Sequence, residues 1–309
     1  MIGKAITLLE SRAARDRGLA QQVLDALTPH AGRGLRIAIS GPPGVGKSTF
    51  VEVFGHHAIE QGHRVGVLAI DPSSRLSGGS ILGDKLRMPR LSSHDDAFIR
   101  PSPAGEDLGG VARRTREAIV VLEAAGFDRI LVETVGVGQS ETVAAGMTDL
   151  FILLALPNAG DEIQGIKRGT MEFVHLLVVN KADGDQQQAA QQAAHTLEQA
   201  LHLMHPPEPD WSVPVLTASA REDLGLEKIW QAVERFHGMM QASGRMAARR
   251  REQSLAWMWA LVREGLEQRL REHPAVNLEQ GLLERAVKAG RTAPAEAAER
   301  LLMLFSRPL

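Results

Sequence analysis

The order of hydrophobic and polar positions divides the chain into three parts. Apolar residues recur at helical spacing through residues 1–30, which predicts helices there. From residue 35 to about 220, short apolar runs alternate with amphipathic stretches, which is typical of a parallel α/β sheet covered by helices. The pattern then becomes wholly helical. We therefore predict an N-terminal helical extension over 1–33, an α/β domain over 34–225 and a helical C-terminal region over 226–309.

Six apolar runs in the middle part are predicted to be strands. Each run ends in polar residues, and ligands in open α/β sheets bind beyond the carboxyl ends of the strands. The residues that follow the strands are therefore candidates for function. The runs are Leu35–Ser40, Val65–Ile70, Ile130–Val132, Leu150–Leu156, Leu176–Val179 and Val213–Leu216.

Composition narrows the classes of function. The net charge is −2 and 23% of the residues are charged, so no bulk electrostatic argument favours a nucleic acid or a membrane as partner. The chain contains no cysteine, which excludes disulfides, thiolate metal sites and a cysteine nucleophile. No apolar run approaches the ~18 residues of a membrane span. The N-terminus lacks the apolar core of a secretory signal, so we expect a cytoplasmic protein.

A phosphate-binding loop follows the first predicted strand. Residues 41–49 read Gly-Pro-Pro-Gly-Val-Gly-Lys-Ser-Thr and fit the pattern G-x-x-x-x-G-K-[ST]. In such a loop, backbone N–H groups and the N-terminus of the next helix converge on phosphate oxygens. Lys47 would reach the β- and γ-phosphates, and the Ser48 hydroxyl would bind Mg²⁺. The residues expected to bind the nucleotide here are Gly44, Val45, Gly46, Lys47, Ser48 and Thr49.

Two aspartates near the second strand are candidate magnesium ligands. Asp71 ends that strand, and Asp84 lies in the loop rich in serine and glycine that follows. Mg²⁺ prefers hard oxygen ligands and often retains water, which suits aspartates at such positions. The alternative is that Asp71 only caps a turn with Pro72. We favour the magnesium role because the loop should face Ser48.

The next strand ends in Glu133, followed by Thr134-Val135-Gly136. An acidic residue at this position holds Mg²⁺ directly or through water, and we expect Glu133 to have this catalytic role. The backbone N–H of Gly136 could meet the γ-phosphate, since glycine permits a close approach. Loss of that contact after hydrolysis would release the loop, which would act as a switch.

A further loop, residues 157–169, follows a buried strand and is rich in glycine and charge. Lys167 and Arg168 are candidates for a cation that neutralises transition-state charge. Solvated loop charges explain the same residues equally well.

The residues after the strand Leu176–Val179 indicate which base is bound. Asn180, Lys181 and Asp183 form the motif N-K-x-D. The Asp carboxylate accepts hydrogen bonds from N1–H and the 2-amino group of guanine, and adenine lacks this pair of donors. Ser219 and Ala220, after the last predicted strand, would supply the loop whose backbone caps the guanine oxygen. The sequence therefore favours GTP and GDP over adenine nucleotides.

The C-terminal region carries an apolar stripe on the predicted helix Leu255–Leu270, with Trp257 and Trp259 on its flanks. Aromatic residues spread this widely around a helix favour burial against a second subunit. A local core is the alternative, and the sequence leaves both open.

Together these motifs resemble the MeaB/ArgK/MMAA family of P-loop GTPases, which are chaperones of adenosylcobalamin-dependent acyl-CoA mutases. The resemblance covers nearly the whole chain. It rests on residues 41–49, 69–74, 78–85, 100–103, 108–117, 133–141 and 160–167.

The resemblance implies a P-loop NTPase fold, a SIMIBI-type G domain with a mostly parallel sheet. It also implies that residues 160–168 are a third switch that the partner mutase reorganises, with Lys167 assisting hydrolysis. The helical C-terminal region would carry a homodimer contact. The magnesium shell and its supports would be Ser48, Asp71, Asp84 and Glu133.

The expected function is GTP hydrolysis, stimulated by a partner, that gates adenosylcobalamin delivery to an acyl-CoA mutase of the methylmalonyl-CoA mutase type and protects or reactivates that mutase. Adenosylcobalamin would be handled only through the mutase. Two alternatives are a metal-insertion GTPase and a non-catalytic module that binds GTP as a scaffold. The lack of cysteine and of clustered histidine disfavours the first, and the magnesium ligands disfavour the second.

Overall fold

The computed structural model describes residues 1–11, 13–70, 88–101, 108–134, 140–157 and 168–306. Within these ranges, seven strands form one sheet, and every neighbouring pair is parallel. The strands are β1 (Leu35–Ser40), β2 (Val65–Ile70), β3 (Ala97–Arg100), β4 (Arg129–Thr134), β5 (Leu150–Ala155), β6 (Leu176–Val179) and β7 (Val215–Thr217).

Helices follow most of the strands, as parallel pairing requires. Short 3₁₀ turns lie at Thr28–His30 and Gly184–Gln186. The helices before the last three are α1 (Ile2–Leu9), α2 (Ala14–Leu27), α3 (Lys47–Glu60), α4 (Pro89–Ser92), α5 (Leu108–Ala124), α6 (Ser140–Ala145), α7 (Arg168–Met171), α8 (Gln187–His202) and α9 (Leu226–Ala242). The last three are α10 (Arg245–Glu272), α11 (Pro274–Lys288) and α12 (Pro294–Phe305).

The strand order is β3-β2-β4-β1-β5-β6-β7, which places β1 in the middle of the sheet. Alternate residues of β1 belong to different cores: Ile37 and Ile39 pack on one face, and Ala38 packs on the other. Helices α3 and α9 cover the first face, while α1, α5, α6 and α8 cover the second. The chain passes from β1 over β4 to β2, whereas β5 lies on the other side of β1. In open α/β sheets, ligands commonly bind beyond the carboxyl end of a strand at such a reversal of direction, so the end of β1 is a candidate site.

The structure confirms the predicted α/β fold with its parallel sheet and adds details. Strand β3 was not predicted, and β7 begins two residues later than the pattern indicated. Helix α10 ends at Glu272, and Pro274 is the first residue of α11, because proline is well tolerated in the first turn of a helix.

The described chain divides into two compact units, Met1–Met246 and Ala247–Leu309. The first contains the sheet and helices α1 to α9, and the second contains most of α10 together with α11 and α12. The predicted C-terminal region begins at residue 226, but α9 contributes Trp230 and Phe236 to the core beside the sheet. Among the described residues, no helix is both long and apolar enough to cross a membrane.

A polar cluster ties α9 to the amino ends of β2 and β4. Asp128 contacts His63 Nδ1 at 2.7 Å and accepts a hydrogen bond from the N–H of Arg64 at 2.9 Å. Arg129 lies 3.2 Å from His63 Nε2 and donates to Glu234 of α9 at 2.9 Å. Burial raises the pKa of Asp128. The hydrogen bonds from His63 and Arg64 and the charges of His63 and Arg129 lower it by more, so the pKa lies below its ordinary value.

Candidate nucleotide site

The phosphate loop joins the end of β1 to the start of α3 and lies tightly against neighbouring loops. Gly46 has φ = 90°, and a Cβ atom there would lie 3.0 Å from the side-chain nitrogen of Asn180. A Cβ atom on Gly41 would lie 2.6 Å from the carbonyl oxygen of Leu154. Both positions therefore require glycine, the first for its backbone conformation and both for the close approach.

Lys47 is held by the carbonyl groups of its own loop. Its Nζ donates to the carbonyl oxygens of Gly41 at 2.8 Å and Pro42 at 3.0 Å. Burial lowers the pKa of Lys47, and the negative charges of Glu133 and Glu141 oppose that shift. The ammonium group therefore lies beside the carbonyl groups of the loop, next to the place where phosphate oxygens would bind.

The predicted magnesium ligands Ser48 and Glu133 are in direct contact. The Ser48 hydroxyl donates to Glu133 Oε1 at 2.8 Å. A hydroxyl and a carboxylate oxygen at this spacing fit the hard donors that Mg²⁺ prefers, and a magnesium–nucleotide site needs only one or two protein carboxylates. Within the described ranges, no group of three or more histidine or acidic side chains is arranged to hold a metal ion.

A buried hydrogen bond fixes the strand ends that carry these groups. The Thr134 hydroxyl at the end of β4 donates to the Ser40 hydroxyl at the end of β1 over 2.8 Å. Both residues are almost fully buried. The bond keeps Glu133, the preceding residue, close to the loop that begins after Ser40.

Asn180 connects the phosphate loop to the two loops of the predicted base site. Its side-chain nitrogen donates to the carbonyl oxygen of Val45 at 2.8 Å, and its side-chain oxygen accepts from the N–H of Ala220 at 3.1 Å. Its own N–H donates to Ala155 at the end of β5. A single buried side chain thus sets the relative positions of three loops.

The predicted guanine-reading carboxylate is also held by a neighbour. The Ser219 hydroxyl donates to one carboxylate oxygen of Asp183 and accepts from the N–H of Glu222 at 3.2 Å. Ser219 is fully buried. Lys181 has φ = 61°, a left-handed conformation that is uncommon outside glycine. Asp183 is therefore oriented before any base arrives.

Comparison with known proteins identifies the family of this chain. Residues 2–275 match the family model described as methylmalonyl Co-A mutase-associated GTPase MeaB. This chain belongs to the MeaB family.

Relatives of this MeaB-family chain match it over nearly its full length. A protein of Caulobacter vibrioides described as a GTPase is 52% identical over 304 residues, covering 98% of this chain and 93% of the relative. The mitochondrial methylmalonic aciduria type A homolog of Mus musculus is 46% identical over 314 residues, covering 98% of this chain and 76% of the relative. A crystal structure named LAO/AO transport system kinase superposes with a TM-score of 0.77 at 38% identity, covering 99% of this chain and 93% of that one.

Several predicted site residues of the MeaB-family chain lie close together. The phosphate loop, Glu133, Asn180, Asp183, Ser219 and Ala220 meet at the carboxyl edge of the sheet, joined by the hydrogen bonds above. Gly44 and Thr49 are exposed, and Val45 is buried with its carbonyl oxygen bonded to Asn180. Four others lie outside the described residues: Asp71, Asp84, Gly136 and Lys167. Arg168 is the first residue of the short helix α7.

Three features of the site were not predicted. The side chain of Ser219 holds Asp183, although only the backbone of its loop was expected to act. The N–H of Ala220, a candidate to cap the guanine oxygen, is already bonded to Asn180. Glu141 acts on Lys47 through its charge. The sequence offered one signal for Glu141, its place in the motif 133–141.

Proposed function

We propose that this protein hydrolyses GTP to GDP and phosphate, and that its nucleotide state gates delivery of adenosylcobalamin to an acyl-CoA mutase of the methylmalonyl-CoA mutase type, which it also protects or reactivates. The observation that carries the proposal is the family match over residues 2–275, whose description names a mutase-associated GTPase. The geometry of the phosphate loop and of the guanine-reading loops is consistent with it.

Phosphate binding begins with an exchange of hydrogen bonds. The backbone N–H groups of residues 44–49 would donate hydrogen bonds to the phosphate oxygens. The Lys47 ammonium would exchange its bonds to the carbonyl oxygens of Gly41 and Pro42 for bonds to the β- and γ-phosphates. Ser48 and Glu133, with Asp71 and Asp84, would hold Mg²⁺, which when bound offsets the charge of the phosphate oxygens. Hydrolysis would then proceed by in-line attack of water.

Base recognition uses the carboxylate that Ser219 orients. Asp183 would accept hydrogen bonds from N1–H and the 2-amino group of guanine, and the stem of Lys181 would cover the ring. The N–H of Ala220 would exchange or share its bond to Asn180 with the guanine oxygen. Because Asn180 also holds Val45, occupancy of the base site and geometry of the phosphate loop would be coupled.

Turnover would depend on the partner. We assign no general base within the described residues, so intrinsic hydrolysis should be slow. Lys167, in the segment 160–168, would add the missing cation when the mutase reorganises that segment, and Gly136 would sense the γ-phosphate. Such a cation stabilises the charge that develops in phosphoryl transfer.

We also propose a cytoplasmic homodimer formed through α10, with no nucleic acid or membrane partner. One face of this helix carries five large apolar side chains that are 41–56% exposed. An apolar stripe of this kind on a soluble protein marks an interaction surface. The five are Leu255, Met258, Trp259, Val262 and Leu266.

The test measures phosphate release and cofactor transfer. Purified protein is incubated with GTP, with and without methylmalonyl-CoA mutase, and phosphate release should rise when the mutase is present. Transfer of adenosylcobalamin to the mutase is then followed with GTP, with GDP and without nucleotide. Equal transfer in all three states would refute the gating role. Nucleotide binding without phosphate release, even with the mutase, would instead identify a scaffold.

A further inference from the structure

Two buried polar side chains near the candidate nucleotide site each carry an oxygen atom without a hydrogen-bond partner among the described residues. Ser140 and Glu141 begin α6, and they are 0% and 8% exposed. Within the described part of the chain, neither the Ser140 hydroxyl nor Glu141 Oε2 has a partner. Proteins rarely leave buried polar atoms unpaired, and an ionised carboxylate oxygen is the most unfavourable group to leave so.

The fold places Glu141 beside the phosphate loop. Helix α6 packs on β1 and β4, the strands whose ends carry the phosphate loop and Glu133. Burial lowers the pKa of Lys47, and the charges of Glu133 and Glu141 oppose it, so both carboxylates lie within electrostatic reach of the loop cation. Lys47 itself donates to carbonyl groups of the loop, which leaves Glu141 Oε2 without a donor.

A ligand bound at this site can supply the missing donor. A magnesium–nucleotide complex brings suitable donors, since Mg²⁺ usually retains several water molecules in such sites. Carboxylates outside the first coordination shell commonly accept hydrogen bonds from those waters and orient them. Ser48 and Glu133 already supply the hydroxyl and carboxylate oxygens for direct coordination.

We propose that Glu141 is a positioning residue of the magnesium–nucleotide site, and that its unpaired carboxylate oxygen accepts a hydrogen bond from a water molecule bound to the metal. This inference rests on the proposed function and adds to it a residue with no assigned role. The oxygen would be unpaired in the empty protein and hydrogen-bonded in the loaded one, so it would favour the loaded state.

The experiment compares three variants with the wild type. Glu141→Gln removes the charge, and Glu141→Asp keeps the charge with a shorter side chain. Glu52→Gln is the matched control: Glu52 is 6% exposed and also has an unpaired Oε2, but its Oε1 accepts from the N–H of Arg90 at 2.6 Å. The charge of Glu52 is not among the causes that shift the pKa of Lys47.

Two quantities are measured for each protein: the melting temperature without nucleotide, and the Mg²⁺ concentration that half-maximally slows dissociation of fluorescently labelled GDP. We expect Glu141→Gln to melt no lower than the wild type without nucleotide. Its Mg²⁺ midpoint should rise about tenfold or more, as for other outer-shell ligands. Glu141→Asp should lie between the two, and Glu52→Gln should keep the wild-type midpoint.

Three results would overturn the inference. The first is an unchanged Mg²⁺ midpoint in Glu141→Gln. The second is an equal rise in Glu52→Gln, which would report only the loss of a buried charge. The third is a lower melting temperature of nucleotide-free Glu141→Gln, which would indicate a structural role. A wild type that retains no labelled GDP at any Mg²⁺ concentration would instead refute the proposed function, and this inference with it.

Discussion

The side-chain amide of Asn180 donates a 2.8 Å hydrogen bond to the backbone carbonyl of Val45, which joins the proposed guanine-reading loop to the phosphate loop. The two residues are far apart in the sequence and meet because β1, β5 and β6 are neighbours in the sheet. Asn180 also accepts from Ala220, so both ends of its amide are used inside the protein.

Replacing Asn180 by alanine should therefore weaken nucleotide binding. The change leaves the Val45 carbonyl and the Ala220 N–H unpaired, and each buried unpaired group costs about 1–3 kcal/mol. We expect the affinity for GDP with Mg²⁺ to fall by about tenfold or more in calorimetry. Asn277→Ala, at an exposed position of α11, is the control and should bind like the wild type. Unchanged affinity in Asn180→Ala would contradict the coupling.

Ser219→Ala should reduce the preference for guanine. Without the hydroxyl, Asp183 loses a hydrogen bond to a charged acceptor, an interaction of about 1.5–3 kcal/mol. The affinity for GTP should fall by about tenfold, while the weak affinity for ATP stays as it was. Titration calorimetry with both nucleotides measures the ratio, and the exposed Ser212→Ala provides the comparison. A wild type that binds ATP as well as GTP would exclude the guanine assignment altogether.

Asp128→Asn should lower stability in a pH-dependent way. The pKa of Asp128 in the folded protein lies below its ordinary value of 3.8 because the contacts to His63, Arg64 and Arg129 outweigh burial. Its contribution is therefore complete above pH 3.8 and is lost as the pH falls through the folded-state pKa. The melting temperature of the variant should lie below that of the wild type at pH 7, and the gap should close under acid conditions. The exposed Asp95→Asn should show neither effect.

A charge in the apolar stripe of α10 should separate the proposed dimer. Val262→Glu places a carboxylate in the stripe, where association would bury it unpaired. Light scattering coupled to size-exclusion chromatography should give a dimer for the wild type and a monomer for this variant. Ala260→Glu adds the same charge at an exposed position away from the stripe and should stay dimeric. Dimeric Val262→Glu would show that another surface forms the contact.

Local sequence patterns predicted those parts of the molecule that depend on neighbouring residues. The phosphate loop between β1 and α3 is an example, since its glycine spacing and flanking apolar run are properties of one short segment. The strand order is not such a property, because it depends on how the crossing connections pack. Strand β3 was missed because Ala97–Arg100 is short, partly exposed and lies at the edge of the sheet.

The candidate site also combines features that a local motif predicts with features that depend on the fold. Asn180 and Asp183 belong to a recognisable motif, but their partners Val45 and Ser219 come from other loops that only the folded sheet brings close. Glu141 was not assigned a role because burial of its carboxylate without a partner is a tertiary property.

The two carbonyl groups that hold Lys47 have a consequence for the empty protein. A lone phosphate or sulfate ion offers few contacts in return for breaking those internal bonds, whereas a polyphosphate chain can occupy many amides of the loop at once. The loop should therefore bind a small anion more weakly than a polyphosphate, which is long enough to replace the hydrogen bonds that its binding disrupts.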